Sequence, residues 1–185
     1  MGQLKELLVE EMQDLLHAET QLVGALPKMA DAANNPQLKQ CFSTHLTQTE
    51  QHVDRLKRAF ELLGEKAQPK PCKAMMGLIA EAEETISEAN DKDPLTADIA
   101  LVASAQRVEH YEIAGYGNVY TLARQIDELD VADLLRHTLG DEESADFLLT
   151  EISKPILQQA SLDDTDAIQK KSHSPSKTKV SLSAV

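Results

Sequence analysis

The chain has 185 residues, 42% apolar but only 3% aromatic with no Trp, which suits one domain with an aliphatic core and argues against a β-sandwich. Its formal charge of −13 divides into −17 over residues 1–169 and four lysines without an acid in the last sixteen, a body that repels nucleic acid and anionic lipid and attracts cations. Cys41 and Cys72 form no C-x-x-C pair, and neither an apolar signal region nor a stretch of ~20 apolar residues is present, so the sequence reads as a soluble, cytoplasmic protein with no membrane or nucleic-acid partner.

Periodicity and punctuation predict five helices. The first spans Gln3 to Ala33, with a stripe at Leu4, Leu8, Glu11, Leu15, Glu19, Leu22, Leu26 and Met29 at spacings of four and three. Asn35 caps a second helix that opens on Pro36 and ends at Leu63, before Gly64. Its stripe is Leu38, Phe42, His45, Thr49, His52, Leu56, Ala59 and Leu63. The loop "EKAQPKP" leads to a short helix, "CKAMMGLIAEAEETISEAN". Asp93 and Pro94 repeat the cap-and-proline start of a helix reaching about Ile126, with Val102, Ala105, Glu109, Glu112, Tyr116, Val119 and Ala123 on one face. The last helix, Val131 to Ala160, presents Val131, Leu135, Thr138, Glu142, Ala145, Asp146, Leu149 and Ile152, and Pro155 is placed to kink or shorten it. Residues 1–162 are read as one domain, and the polar, basic, aperiodic residues 163–185 as a disordered tail.

Connection lengths set the topology. The first two long helices, and the last two, are joined by tight turns and lie antiparallel as hairpins. A connection of roughly thirty residues with its own short helix separates the hairpins. The expected fold is therefore all-α, a ferritin-like four-helix bundle of two antiparallel hairpins with a long crossover.

Each long stripe is apolar at its ends and polar in the middle, where an ionised group facing a core would be strongly unfavourable. Counted from the turn at Asn35, Glu19 lies sixteen residues before it and His52 seventeen after. Counted from residue 129, Glu112 and Asp146 each lie seventeen away, with Glu109 and Glu142 within about a turn of that level. Carboxylates from four helices beside an imidazole make a candidate metal site, and an oxygen-rich set of this kind suits iron or manganese rather than structural zinc. His45 reads as a hydrogen-bonded core histidine, Glu11 as a rim residue, and Tyr111, Tyr116 and Tyr120 as core packing. The Glu-x-x-His motif of di-metal carboxylate bundles is absent: the helices offer Thr49-x-x-His52, Glu109-x-x-Glu112 and Glu142-x-x-x-Asp146.

The stretches "LLHAETQLVGALPKMA", "HLTQTEQHVDRL", "CKAMMGLIAEA", "AQRVEHYEIAGYG" and "TLGDEESAD", in this order, resemble the YciF/YciE-type family of bacterial ferritin-like proteins over about residues 3 to 160. "VEHYEIAGYG" is the most specific of them. The resemblance implies the crossover bundle, a homodimer and a stress-associated role. It points to Glu19, His52, Glu109, Glu112, Glu142 and Asp146 as metal ligands. Gln48 stands where the family pattern often has Glu, which weakens the second-helix side of the site: a dinuclear centre is expected, with one ion bound loosely, and a single-ion site is the alternative.

Two functions compete at this stage. One is an iron or manganese centre reacting with dioxygen or peroxide, as an oxidase, a peroxide-consuming activity or an iron sequesterer. The other is a non-catalytic dimeric stress or interaction protein that has kept the bundle and lost full metal chemistry.

Overall fold

The structure, a computed structural model, describes residues 2–172. Five helices follow in order: α1 (Gln3–Ala32), α2 (Pro36–Leu63), α3 (Lys73–Glu88), α4 (Pro94–Gln125) and α5 (Leu129–Ser172), with a 3-10 turn at Ala89–Asp91 and no strand among the described residues. The punctuation works as its chemistry demands. Asn35 Oδ1 accepts from the amides of Gln37 and Leu38 at 2.8 and 3.2 Å, and Asp93 Oδ1 does the same for Leu95 and Thr96 at 3.1 Å. Caps of this kind are worth about 1 kcal/mol each. Gly64 ends α2 in the left-handed conformation, φ 72°. Cys72 caps α3 with its sulfur, 3.4 Å from the amide of Met75.

α5 differs from its expected form. It runs through Pro155 and past residue 162, so the expected domain boundary falls inside a helix. No glycine or further proline interrupts the chain from Ile156 to Ser172, and i,i+4 bonds from Gln159 to Asp163 and from Thr165 to the Ser161 carbonyl run along it. Residues 173–185 of the expected tail lie outside the described residues.

α1 packs on α2 and α4 on α5, the hairpins meet through α1 with α4 and α2 with α5, and α3 lies across α1 and α4. The apolar core is in two parts. One holds Leu8, Met12, Leu15, Leu56, Phe60 and Leu135; the other holds Leu22, Leu26, Phe42, Met75, Leu101 and Leu149. Gly115 lets α1 approach α4, since a Cβ there would sit 2.8 Å from Leu15 Cδ2. Asp98, 1% exposed, joins the hairpins: its oxygens accept from the backbone amides of Asn34 at 2.7 Å and Asn35 at 2.8 Å. The α1–α2 turn and the start of α4 therefore share one end of the bundle.

Candidate metal centre

Between the two apolar parts lies a polar layer. Glu19 of α1, His45, Thr49 and His52 of α2, Glu109 and Glu112 of α4, and Glu142 of α5 are all buried, none more than 4% exposed. The ends of the layer become clear when both hairpins are counted from Asp98 and Asn35. His45 is ten residues past Asn35 and Glu109 eleven past Asp98, so they meet at one level. Glu112, fourteen past Asp98, leads on to Glu19 and His52 at sixteen and seventeen.

Two groups of donors result. His45, Glu109, Glu112 and Glu142 form one and Glu19, His52 and Glu142 the other, with the ligand atoms of each group within 4.8 Å of one another. Glu142 belongs to both, with Oε2 3.4 Å from His45 Nε2 and Oε1 2.9 Å from His52 Nδ1. His45 Nε2 is also 3.5 Å from Glu109 Oε1, and His52 Nδ1 3.3 Å from Glu19 Oε1.

Each ring is held from outside by its other nitrogen. His45 Nδ1 donates to Gln48 Oε1 at 3.3 Å, and His52 Nε2 donates to Asp141 Oδ2 at 3.3 Å. Arg55 Nη1 anchors the same Asp141 oxygen at 2.6 Å. Each inward nitrogen faces the layer, the arrangement that orients metal-binding histidines. Tyr116 donates its hydroxyl to Glu19 Oε1, leaving Oε2 without a partner.

Burial of so many ionisable groups in one layer shifts their proton affinities. Burial pushes Glu109 up to about 8, with His45 opposing and Glu142 adding to the rise. Burial likewise lifts Glu142 to about 7 against the pull of His52, and lifts Glu112 well above the carboxylate range. Burial would lower His52, but the close carboxylates of Glu142 and Glu19 bring it to about 10. Without a bound cation the layer holds protons. Burial, helped by the charge of Glu109, raises Cys41 to about 11, so it stays a thiol rather than becoming a thiolate ligand.

The donor set fits a metal centre by a direct test. Nine buried side-chain N and O atoms among the described residues have no hydrogen-bond partner, and all nine belong to this layer: one each from Glu19, His45, Thr49, His52 and Glu109, and two each from Glu112 and Glu142. Nitrogens and oxygens approach within 3.5 Å yet face a common space rather than each other. Orphaned buried groups on this scale are unfavourable unless a cation gathers them.

Five of the six expected residues, Glu19, His52, Glu109, Glu112 and Glu142, come together. Asp146 does not: it is partly exposed and its Oδ1 is taken by Gln106 Nε2 at 2.9 Å and His110 Nε2 at 3.3 Å. The inward stripe of α5 passes through Ala145 and Leu149, which turns Asp146 onto the flank. His45, read as a core histidine, stands in the layer instead. Ten residues from the α1–α2 turn, it is level with Glu109 because that turn shares its end of the bundle with the start of α4 and not with the α4–α5 turn. Asp141 and Arg55 gave no sequence signal, because both are ordinary surface residue types.

A family model described as a domain of unknown function, DUF892, matches residues 3–162. The chain is 40% identical to Protein YciF of Escherichia coli (strain K12) over 154 residues, 83% of this chain and 92% of that one. The crystal structure of the E. coli stress protein YciF is similar with TM-score 0.81 and 37% identity, covering 85% of this chain and 99% of that one. A protein of Xanthomonas campestris pv. campestris is similar with TM-score 0.67 and 25% identity, covering 89% and 99%.

Proposed function

This chain belongs to the DUF892 family, and from that premise we propose that it is a stress-associated ferritin-like protein whose buried layer holds two iron or manganese ions and reacts with a small oxidant. The observation that carries the reading is the gathering of all nine partnerless buried atoms in one layer. Four carboxylates and two imidazoles make an oxygen-rich set that suits iron or manganese. Glu142 reaches both donor groups and would be the residue that the two ions share. The stress association comes from the E. coli relative, which is described as a stress protein.

The chain's residues divide the work. Gln48 and Asp141 accept from the outer nitrogens of His45 and His52 and so aim the inward nitrogens at the layer, where His52 gives up its inward proton as an ion enters. Glu109, Glu112 and Glu142 release the protons that burial makes them hold as the ions enter. Tyr116 keeps Glu19 oriented. Iron or manganese held by Glu19, His45, His52, Glu109, Glu112 and Glu142 would supply one-electron redox chemistry toward a small oxidant.

Thr49 and Ala145 stand where Glu-x-x-His motifs would place a Glu and a His, and they favour the rival reading of a bundle that has lost its metal chemistry. His45, one turn before Thr49, and Glu112, one turn after Glu109, supply donors in their place. Metal content by ICP-MS on untagged protein decides. About two ions per chain are expected, with losses in Glu109→Ala and His52→Ala. A metal-free protein from cells supplied with both metals would establish the rival reading. Light scattering on the same samples tests the homodimer.

A further inference from the structure

Most helical hydroxyls of this chain are satisfied within their own helix. Thr20, Ser43, Thr85, Thr121, Ser144 and Thr165 each donate to the carbonyl one turn back, at 2.6–3.0 Å. Thr49, in the middle of α2, does not. It is fully buried, and its Oγ1 has no partner, the carbonyl of His45 one turn back included. Other buried hydroxyls are paired: Thr138 accepts from Arg55 Nη1 at 3.3 Å, and Ser104 meets Thr85 at 3.1 Å. Among the described residues Thr49 therefore carries the one buried side-chain hydroxyl without a partner. Leaving a local acceptor unused, out of reach of solvent, is unfavourable unless something else takes up the hydroxyl.

Its position says what that is. Thr49 lies four residues after His45 and three before His52 on the same inward stripe, and the two rings are 6.1 Å apart. It stands between the two donor groups. The other proton-bearing groups around it are committed: Tyr116 donates to Glu19 Oε1, and the outer nitrogens of His45 and His52 donate to Gln48 and Asp141. Once ions occupy the inward nitrogens and the carboxyls give up their protons, the layer offers acceptors everywhere except at the Thr49 hydroxyl. Two divalent ions also match the four charges of Glu19, Glu109, Glu112 and Glu142, so a further small anion gains little from the layer as a whole. It depends on its direct contacts.

We propose that Thr49 is a positioning residue of the centre, whose hydroxyl donates to a compact monoanion of the azide or formate class held between the His45 and His52 ends of the layer. The inference rests on the two-ion reading and adds a residue that holds a ligand of the ions rather than the ions themselves. Threonine suits the task because it donates a hydrogen bond and carries no charge. The Glu that a Glu-x-x-His motif would place here would repel the anion and take up a coordination position of its own.

Co(II), which absorbs visible light, serves as the probe of the ions, and azide as the probe of the anion. Parent protein loaded with Co(II) is expected to change its visible spectrum on titration with azide. Thr49→Val keeps the shape of the side chain and should keep the Co(II) count while azide binding weakens about 10–100-fold. Thr49→Ser retains the hydroxyl and should stay within about threefold of the parent. In metal-free protein Thr49→Val removes an orphaned hydroxyl and should raise Tm by about 2–8 °C, where a hydroxyl with a structural partner would give a fall. Thr49→Ala carries the azide comparison if the Val variant does not fold. Unchanged azide affinity in Thr49→Val overturns the proposal. So does loss of Co(II) from that variant, equal weakening in Thr49→Ser, or a lower Tm without metal. A parent protein that takes up no Co(II) defeats the two-ion reading and this inference together, whereas one that holds two ions and binds no azide defeats this inference alone.

Discussion

The two ends of the polar layer use the same device with different charge behind it. His52 is fully buried, and the oxygen taking its outer proton is a carboxylate, Asp141, fixed by Arg55. His45 borders a groove between α2 and α5, and its outer nitrogen donates to the neutral amide oxygen of Gln48. A carboxylate makes the imidazole a stronger donor than an amide does. On the proposed two-ion reading, the His52 end would hold its ion the more tightly and the His45 end the more loosely.

The severest way to break this contrast is to remove what the ends share. Glu142→Gln keeps the size of the side chain and removes the bridging charge, and it is expected to weaken both ions well beyond about 100-fold in calorimetric titration with Mn(II). If one ion keeps its affinity, Glu142 does not bridge. Asp141→Asn acts on one end only: the His52-side ion should weaken by about 10–100-fold while the other is unchanged. Equal weakening of both would erase the asymmetry.

Protons test the layer as a whole. Glu109 at about 8, Glu142 at about 7 and His52 at about 10 all lie above their ordinary values of 4.5, 4.5 and 6.5. A value raised by folding contributes stability that is present at low pH and lost as pH rises through the folded value. The carboxyl contributions therefore fade between about pH 4.5 and 8, and that of His52 between about 6.5 and 10. Metal-free protein should have a Tm roughly 5–10 °C lower at pH 8.5 than at pH 5.5 by scanning calorimetry. Saturating Mn(II) should reverse the trend, because the metal requires deprotonated ligands. A flat profile without metal would mean the layer is hydrated rather than dry. The smallest effect sharpens the contrast instead of breaking it. Gln48→Glu places a carboxylate behind His45 and should tighten the looser ion by about tenfold or less, drawing the two affinities together.

The fold was legible because its signals are local. Asn35-Pro36 and Asp93-Pro94 cap and open helices wherever they occur, and the stripes from Leu8 to Met29 and from Leu38 to Leu63 need only a period. Glu19, His52, Glu109, Glu112 and Glu142 were legible for a related reason: charge on an apolar stripe contradicts the stripe. Asp146 misled because a flank position and a core position differ by less than half a turn of rotation, which Gln106 and His110 resolve only in three dimensions. His45 and Asp141 depend on how one hairpin sits against the other. That offset is set by the Asp98 contact with Asn34 and Asn35, which neither stripe encodes.

The Asp98 contact also divides the chain by its tolerance of changes in length. From Asn35 to His45 and from Asp98 to Glu109 the chain is helix that begins at a shared anchor and ends at a donor. One residue added to either span turns every donor beyond it by about 100° and moves it about 1.5 Å. The loop of the crossover ahead of α3, from Gly64 to Pro71, is under no such constraint, since each doubling of a flexible loop adds only about 0.6 kcal/mol. Insertions and deletions are therefore expected to gather in that loop, and to be absent from the two spans of ten and eleven residues that measure out the centre.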